Sequence, residues 1–120
     1  MSISASLFGL CNTTASGRFY PVVLPQGATL PAAVYQKLFD SPSYSQHESS
    51  VLFHPVFQIS VYGSTYAGAR GLADSLSDVL SGYHSASKIY SAFIEDDKDD
   101  WESETGYYKA ILQVAISHKE

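Results

Sequence analysis

The most regular pattern in the chain is a strict alternation near its C-terminal end. Between Tyr107 and His118, the residues Tyr108, Ala110, Leu112, Val114 and Ile116 share one side. Tyr107, Lys109, Ile111, Gln113 and Ala115 share the other. Period two marks a β-strand with one face in a core. Its second face is only half polar, which reads either as partial cover by another subunit or as ordinary exposure of scattered apolar groups. Phe57, Ile59 and Val61 repeat the pattern and predict a strand over Pro55–Tyr62. Val51, Leu52 and Phe53 extend it backwards, with Pro55 at an edge or a bulge. Lys88–Glu95 reads as a further strand. So does Ala33–Phe39, with Val34 and Gln36 on one side and Tyr35, Lys37 and Phe39 on the other. Arg18–Val23 is extended, but Pro21 supplies no amide proton, so this segment is an edge strand or a strap.

The period changes to helical between about Thr65 and Ser81, where Leu72, Leu76, Val79 and Leu80 form a stripe. Ser64 is placed to cap this helix and Gly82 to end it. Gly68 and Gly71 each cost up to ~1 kcal/mol relative to alanine inside a helix. The expected compensation is close approach to the sheet. Ile3, Leu7 and Leu10 predict a second, short helix over residues 3–11. Asp40–Ser50 is polar and turn-rich and reads as an exposed loop. The sum is one α+β domain spanning residues 1–120. Its expected form is a mostly antiparallel or mixed sheet of four to five strands, with one long and one short helix packed on one face.

Composition narrows the function. Only 16% of the 120 residues are charged, against about 25% in an average globular chain. Nine tyrosines carry much of the polarity instead, a composition that protein interfaces favour. The formal net charge is -5, and the seven basic residues are scattered. That argues against a groove for nucleic acid, which needs lysine and arginine to displace counterions, and against anionic membranes. A single cysteine, Cys11, excludes an intramolecular disulfide and fits a reducing compartment. Met1–Leu10 lacks the features of a signal peptide, so synthesis in the cytoplasm is expected. No stretch approaches the ~20 apolar residues of a membrane span.

Catalytic signatures are missing. There is no GxSxG, P-loop, GxGxxG, HExxH or CxxC. His47, Glu48 and His54 could converge on a metal, and Cys11 could pair with His54 or His84 as a thiol nucleophile. The plainer reading makes the histidines surface or core residues and Cys11 a small buried hydrophobe. One segment stands out: Glu95–Glu104 holds seven of the twelve acids. It is read as a solvated hairpin between the last two strands, with an electrostatic contact surface and a divalent-cation site as alternatives. It lacks the glycine turn of an EF-hand. Trp101, the only tryptophan, lies inside it, as an anchor against the body or as an interface hot spot.

Several segments, taken in order, resemble the tail completion (tail terminator) family of long-tailed phages. They are Gly17-Arg18-Phe19-Tyr20-Pro21, Pro25-Gln26-Gly27-Ala28, Leu30-Pro31 and Val34-Tyr35-Gln36. Phe57-Gln58-Ile59-Ser60-Val61 follows, then Thr65-Tyr66-Ala67 with Ala69-Arg70 and Leu72-Ala73. The acidic Glu95–Asp100 run, Glu102, Glu104-Thr105-Gly106 and Tyr108 complete the set. The resemblance covers nearly the whole chain, except Asp40–Ser50. It implies a virion protein that assembles as a hexameric ring on the head-proximal end of the tail tube. Its implied partners are further copies of itself, the tail tube protein and a head-completion or connector protein, with genomic DNA passing through the lumen. It implies no catalytic residue, no cofactor and no membrane. The expected contact residues are Glu95, Asp96, Asp97, Asp99, Asp100, Trp101, Glu102, Tyr107 and Lys109, near the lumen or at a ring-to-neighbour interface. The competing readings are another neck connector ring, a small enzyme using Cys11 or a histidine, and a monomeric binding module.

Overall fold

Two apolar alternations form the centre of a sheet. The computed structural model describes residues 11–12, 14–15, 17–39, 43–44, 51–53, 55–81 and 89–119. The strands are β1 (Phe19–Pro21), β2 (Ala32–Phe39), β3 (Ser43–Tyr44), β4 (Val51–Phe53), β5 (Val56–Gly63), β6 (Ile89–Glu102) and β7 (Tyr107–Lys119). One helix, α1 (Tyr66–Leu80), separates β5 from β6. β7 pairs antiparallel with β5 on one side and with β6 on the other. β2 pairs antiparallel with β5, and β1 lies parallel to β2. The sheet is therefore mixed, as one of the two expected forms.

β4 and β5 are one strand in two pieces. The register Phe53↔His118 continues without a shift into Val56↔Ala115. Pro55 sits at the break, and its carbonyl accepts from the Ile116 amide at 3.0 Å. The register against β7 runs past Pro55 without a shift, so no bulge lies there on the β7 side. The missing amide of this proline interrupts the ladder locally. β3, paired to β4, lies within the segment predicted as loop.

The core lies between α1 and one face of the sheet. Phe57, Ile59 and Val61 of β5 stand beside Val114, Leu112 and Ala110 of β7, and all six are buried. Each such side chain contributes about 1.5–3 kcal/mol by leaving water, alanine less. Ala33 of β2 and Phe19 of β1 join them. Phe19 stacks on Tyr35 with ring centroids 4.6 Å apart, which ties the three-residue β1 to its neighbour. A register shift after Lys37 pairs Phe39 with Val56. Phe39 is therefore taken off the side of Lys37, contrary to the simple alternation, because a bulge reverses side-chain parity.

α1 begins and packs differently from its sequence pattern. Thr65, not Ser64, is the cap: its backbone is extended and its Oγ1 accepts from the Gly68 amide at 3.1 Å. At the other end the Ser81 amide donates to the Ser77 carbonyl at 2.8 Å; Gly82 lies outside the described residues. The buried stripe is Ala69, Ala73, Leu76 and Leu80, with Leu72 and Val79 only half-buried. Small residues face the sheet because the helix approaches it closely at one point. That point is Gly63, at the end of β5, where a Cβ would stand 2.6 Å from the Ala69 nitrogen. Gly71 has nothing within 4 Å of its would-be Cβ, and Gly68 meets only the Thr65 hydroxyl at 3.1 Å. The close contact expected of the helical glycines belongs to a strand glycine.

Cys11 and Asn12 have helical backbone, followed by a turn in which the Ala15 amide donates to the Cys11 carbonyl. The remainder of the short predicted helix lies outside the described residues.

Candidate assembly surface

The acidic run is one arm of the hairpin, and most of it is strand rather than turn. β6 continues through it to Glu102, paired with β7 all the way, and only residues 103–106 form the turn. Gly106 closes that turn at φ +76 with its amide on the Glu102 carbonyl at 2.8 Å. Strand pairing outweighs charge repulsion because alternation distributes the acids over two faces, and one face meets a cation.

A bulge decides which acids meet it. Ile94 pairs with Val114, but the next pair is Asp96↔Gln113, leaving Glu95 as the extra residue. Beyond it Asp97, Asp99 and Trp101 lie opposite Leu112, Ala110 and Tyr108, on the helix side of the sheet. Asp96, Asp100 and Glu102 fall on the opposite side, opposite Gln113, Lys109 and Tyr107. The nine residues expected to share a contact surface are thus divided between two faces.

On the helix side, Arg70 gathers the carboxylates. Its Nη2 donates to both oxygens of Asp97, at 2.8 and 3.0 Å. Its Nη1 donates to Asp99 at 2.7 Å and its Nε to Asp74 at 3.1 Å. The Tyr66 hydroxyl donates to the other Asp99 oxygen at 3.0 Å. Partial burial alone would lower the Arg70 pKa, but the hydrogen bonds and charges of Asp97, Asp99 and Asp74 outweigh it and raise it. The hydrogen bond to Asp99, then its charge, raises the Tyr66 pKa. Tyr66 and Arg70, four residues apart on one face of α1, fasten its first turns to β6, and Asp74, a further four residues on, holds Arg70 from within the helix. Sequence reasoning missed Arg70 and Tyr66 as members of the site. The available signal was the Arg70–Asp74 spacing and a helix with a single basic residue.

Past the clamp, three aromatic rings are open to solvent. Trp101 is 56% exposed, so it does not anchor the hairpin. Tyr66 and Tyr108 meet edge to face at 6.2 Å, and Tyr108 is the cross-strand partner of Trp101. On the other side of the sheet, Lys109 places its Nζ 5.3 Å from the centre of the Tyr62 ring. There Leu24–Ala28 borders a groove of about 280 Å³ with Tyr62, Glu102, Thr105 and Tyr107.

The other candidate chemistries fare differently. Among the described residues, no three of His, Cys, Asp and Glu converge to hold a metal. His47, Glu48, His54 and His84 lie outside the described residues. No described helix is long and apolar enough to cross a membrane. Cys11 is fully buried, and desolvation pushes its thiol up to about 12. A neutral thiol at this depth is a poor nucleophile.

No family model matches the chain, and no curated protein matches it in sequence. Solved structures do match in fold. One is a chain of the "Virion of native gene transfer agent (GTA) particle", with a TM-score of 0.73 and 14% identity. The likeness covers 99% of this chain and 96% of that one. At this identity it establishes the shared α+β architecture, over the whole length of both chains.

The buried thiol gives a direct check on the core. A thiol reagent at pH 8 should leave the folded protein unmodified and label one cysteine per chain in denaturant. Because the folded pKa is raised, the stability due to the neutral thiol is complete below the unfolded thiol pKa of about 8.5. It is lost as pH rises toward about 12. Rapid labelling of the native chain would contradict this burial.

Proposed function

We propose that this chain is a virion structural protein, a tail-terminator subunit that forms a ring on the head-proximal end of a phage-type tail and works without catalysis. The observation that carries the reading is the whole-length structural likeness to a chain of a virion particle. The ordered motifs from Gly17-Arg18-Phe19-Tyr20-Pro21 to Glu104-Thr105-Gly106 agree with it independently. The enzymatic alternative is weakened by the buried, raised-pKa Cys11.

The ring would be a homohexamer that ends tube polymerisation and presents a surface to the head-completion complex. Its contacts would include the exposed part of the β6–β7 hairpin: Glu95, Asp96, Asp100, Trp101, Glu102, Tyr107 and Lys109. Asp97 and Asp99 would serve instead as the internal attachment of that hairpin. Any acidic surface turned to the lumen would repel passing DNA, since phosphate binding needs the opposite sign.

Electron microscopy of particles made without this protein tests the proposal. Overlong tail tubes are the expected result. Tails of normal length that fail to join heads would replace the terminator by a connector role, and normal infectious particles would refute both.

A further inference from the structure

The exposed large hydrophobic residues are not scattered. Val22, Val23, Leu38 and Phe39 lie along the β1–β2 side of the sheet. Tyr66, Trp101 and Tyr108 lie at the opposite edge, on the helix face of the β6–β7 hairpin, and Phe93 lies on the other face of β6. The two sides also differ in charge. Residues 17–39 contain Arg18 and Lys37 and no acid, whereas β6 carries six acids and Lys98.

The β1–β2 side holds a strained residue as well. Val22 has φ 63, a conformation that costs a β-branched residue of order 1–3 kcal/mol. The Val23 amide donates to the Pro21 carbonyl at 2.6 Å, making a γ-turn around Val22, whose own amide donates to the Tyr35 carbonyl at 2.8 Å. The turn leaves Val22 62% and Val23 69% exposed. Beside it runs a groove of about 520 Å³ bordered by Pro21, Val22, Tyr35, Gln36, Lys37 and Phe57.

From this arrangement we propose that the β1–β2 side of one copy docks on the β6 side of the next, with Val22 and Val23 meeting Trp101. The occupant is a second copy of this chain because the two patches complement each other in charge and lie on opposite sides of one sheet. Two-fold pairing would set each patch against itself, acid on acid at β6. Head-to-tail pairing opposes unlike patches and is the geometry that closes a ring. The inference rests on the ring reading and specifies which surfaces form it.

Mixing two defective variants tests it. One carries Val23→Asp and Lys37→Glu; the other carries Trp101→Ser and Asp100→Asn. Each should self-associate about ten-fold more weakly than wild type, or worse, as expected for loss of a central aromatic or apolar anchor. Mixed, they should form a 1:1 dimer that stops there, since each retains one intact side. Only the first variant holds a tryptophan, so all tryptophan emission in the mixture reports the contact and should shift to the blue. Circular dichroism checks that each variant is folded, and Lys37→Glu alone replaces the first if it is not. If wild type assembles but the mixed variants stay monomeric, or the variants assemble like wild type, the assignment of surfaces is wrong and the ring stands. If wild type is monomeric at all concentrations, the contact between copies is refuted, and the particle experiment decides the ring separately.

Discussion

Replacing Gly63 by alanine should destabilise the fold by about 3 kcal/mol, at the upper end of what overpacking a tight site costs. The new Cβ would stand 2.6 Å from the Ala69 nitrogen and 3.0 Å from its Cα and Cβ. The nearest atom is backbone, so no side-chain rotation relieves the contact. Either the first turn of α1 moves off β5, or β5 bends. Displacing that turn would also shift Tyr66 and Arg70, which reach β6 from it. Gly71→Ala is the control, because its Cβ meets nothing within 4 Å. It should stabilise by up to ~1 kcal/mol through helix propensity alone. Urea midpoints measure both. Equal effects at the two glycines would show that Gly63 is not the point of closest approach.

Removing the clamp should have the second largest effect. An isolated exposed ion pair is worth about 0–1 kcal/mol. Here one guanidinium, 21% exposed, holds Asp97 and Asp99 as well as Asp74. Arg70→Met keeps the helix and much of the side-chain stem, and should cost about 1–2 kcal/mol after allowing for solvent screening. The loss should shrink at 1 M salt, where the screening length falls to about 3 Å. Amide exchange should quicken along Asp97–Trp101, the stretch of β6 that the clamp holds. Asp97→Asn with Asp99→Asn should reproduce much of this, and Asp96→Asn with Asp100→Asn should not. Equal destabilisation by the two pairs would contradict the division of the acids between faces. Changing all four together would mix a loss of stability with a change of surface charge, so the pairs are the informative variants.

The chain itself determined the elements whose signal is local. Strict alternation in β7 and β5 specified both strands and their buried faces, because period two leaves no other way to bury Leu112 with Val114 or Ile59 with Val61. Pattern and length specified α1 to within a residue at each end. The α+β class followed from the order of these elements, and the buried Cys11 from its composition. Tertiary structure decided whatever depends on register or on an element distant in the chain. The extra residue at Glu95 reverses parity, so it places Asp97 and Asp99, and not Asp96 and Lys98, on the helix side. Arg70 lies 27 residues from Asp97 and 29 from Asp99, a distance across which no local pattern links charges. Like charges along the acidic run predict an exposed, extended hairpin, and residues 95–101 are exposed; what they do not predict is that the run is paired to β7 throughout. It is a strand because β7 supplies the backbone partners and α1 supplies the cation.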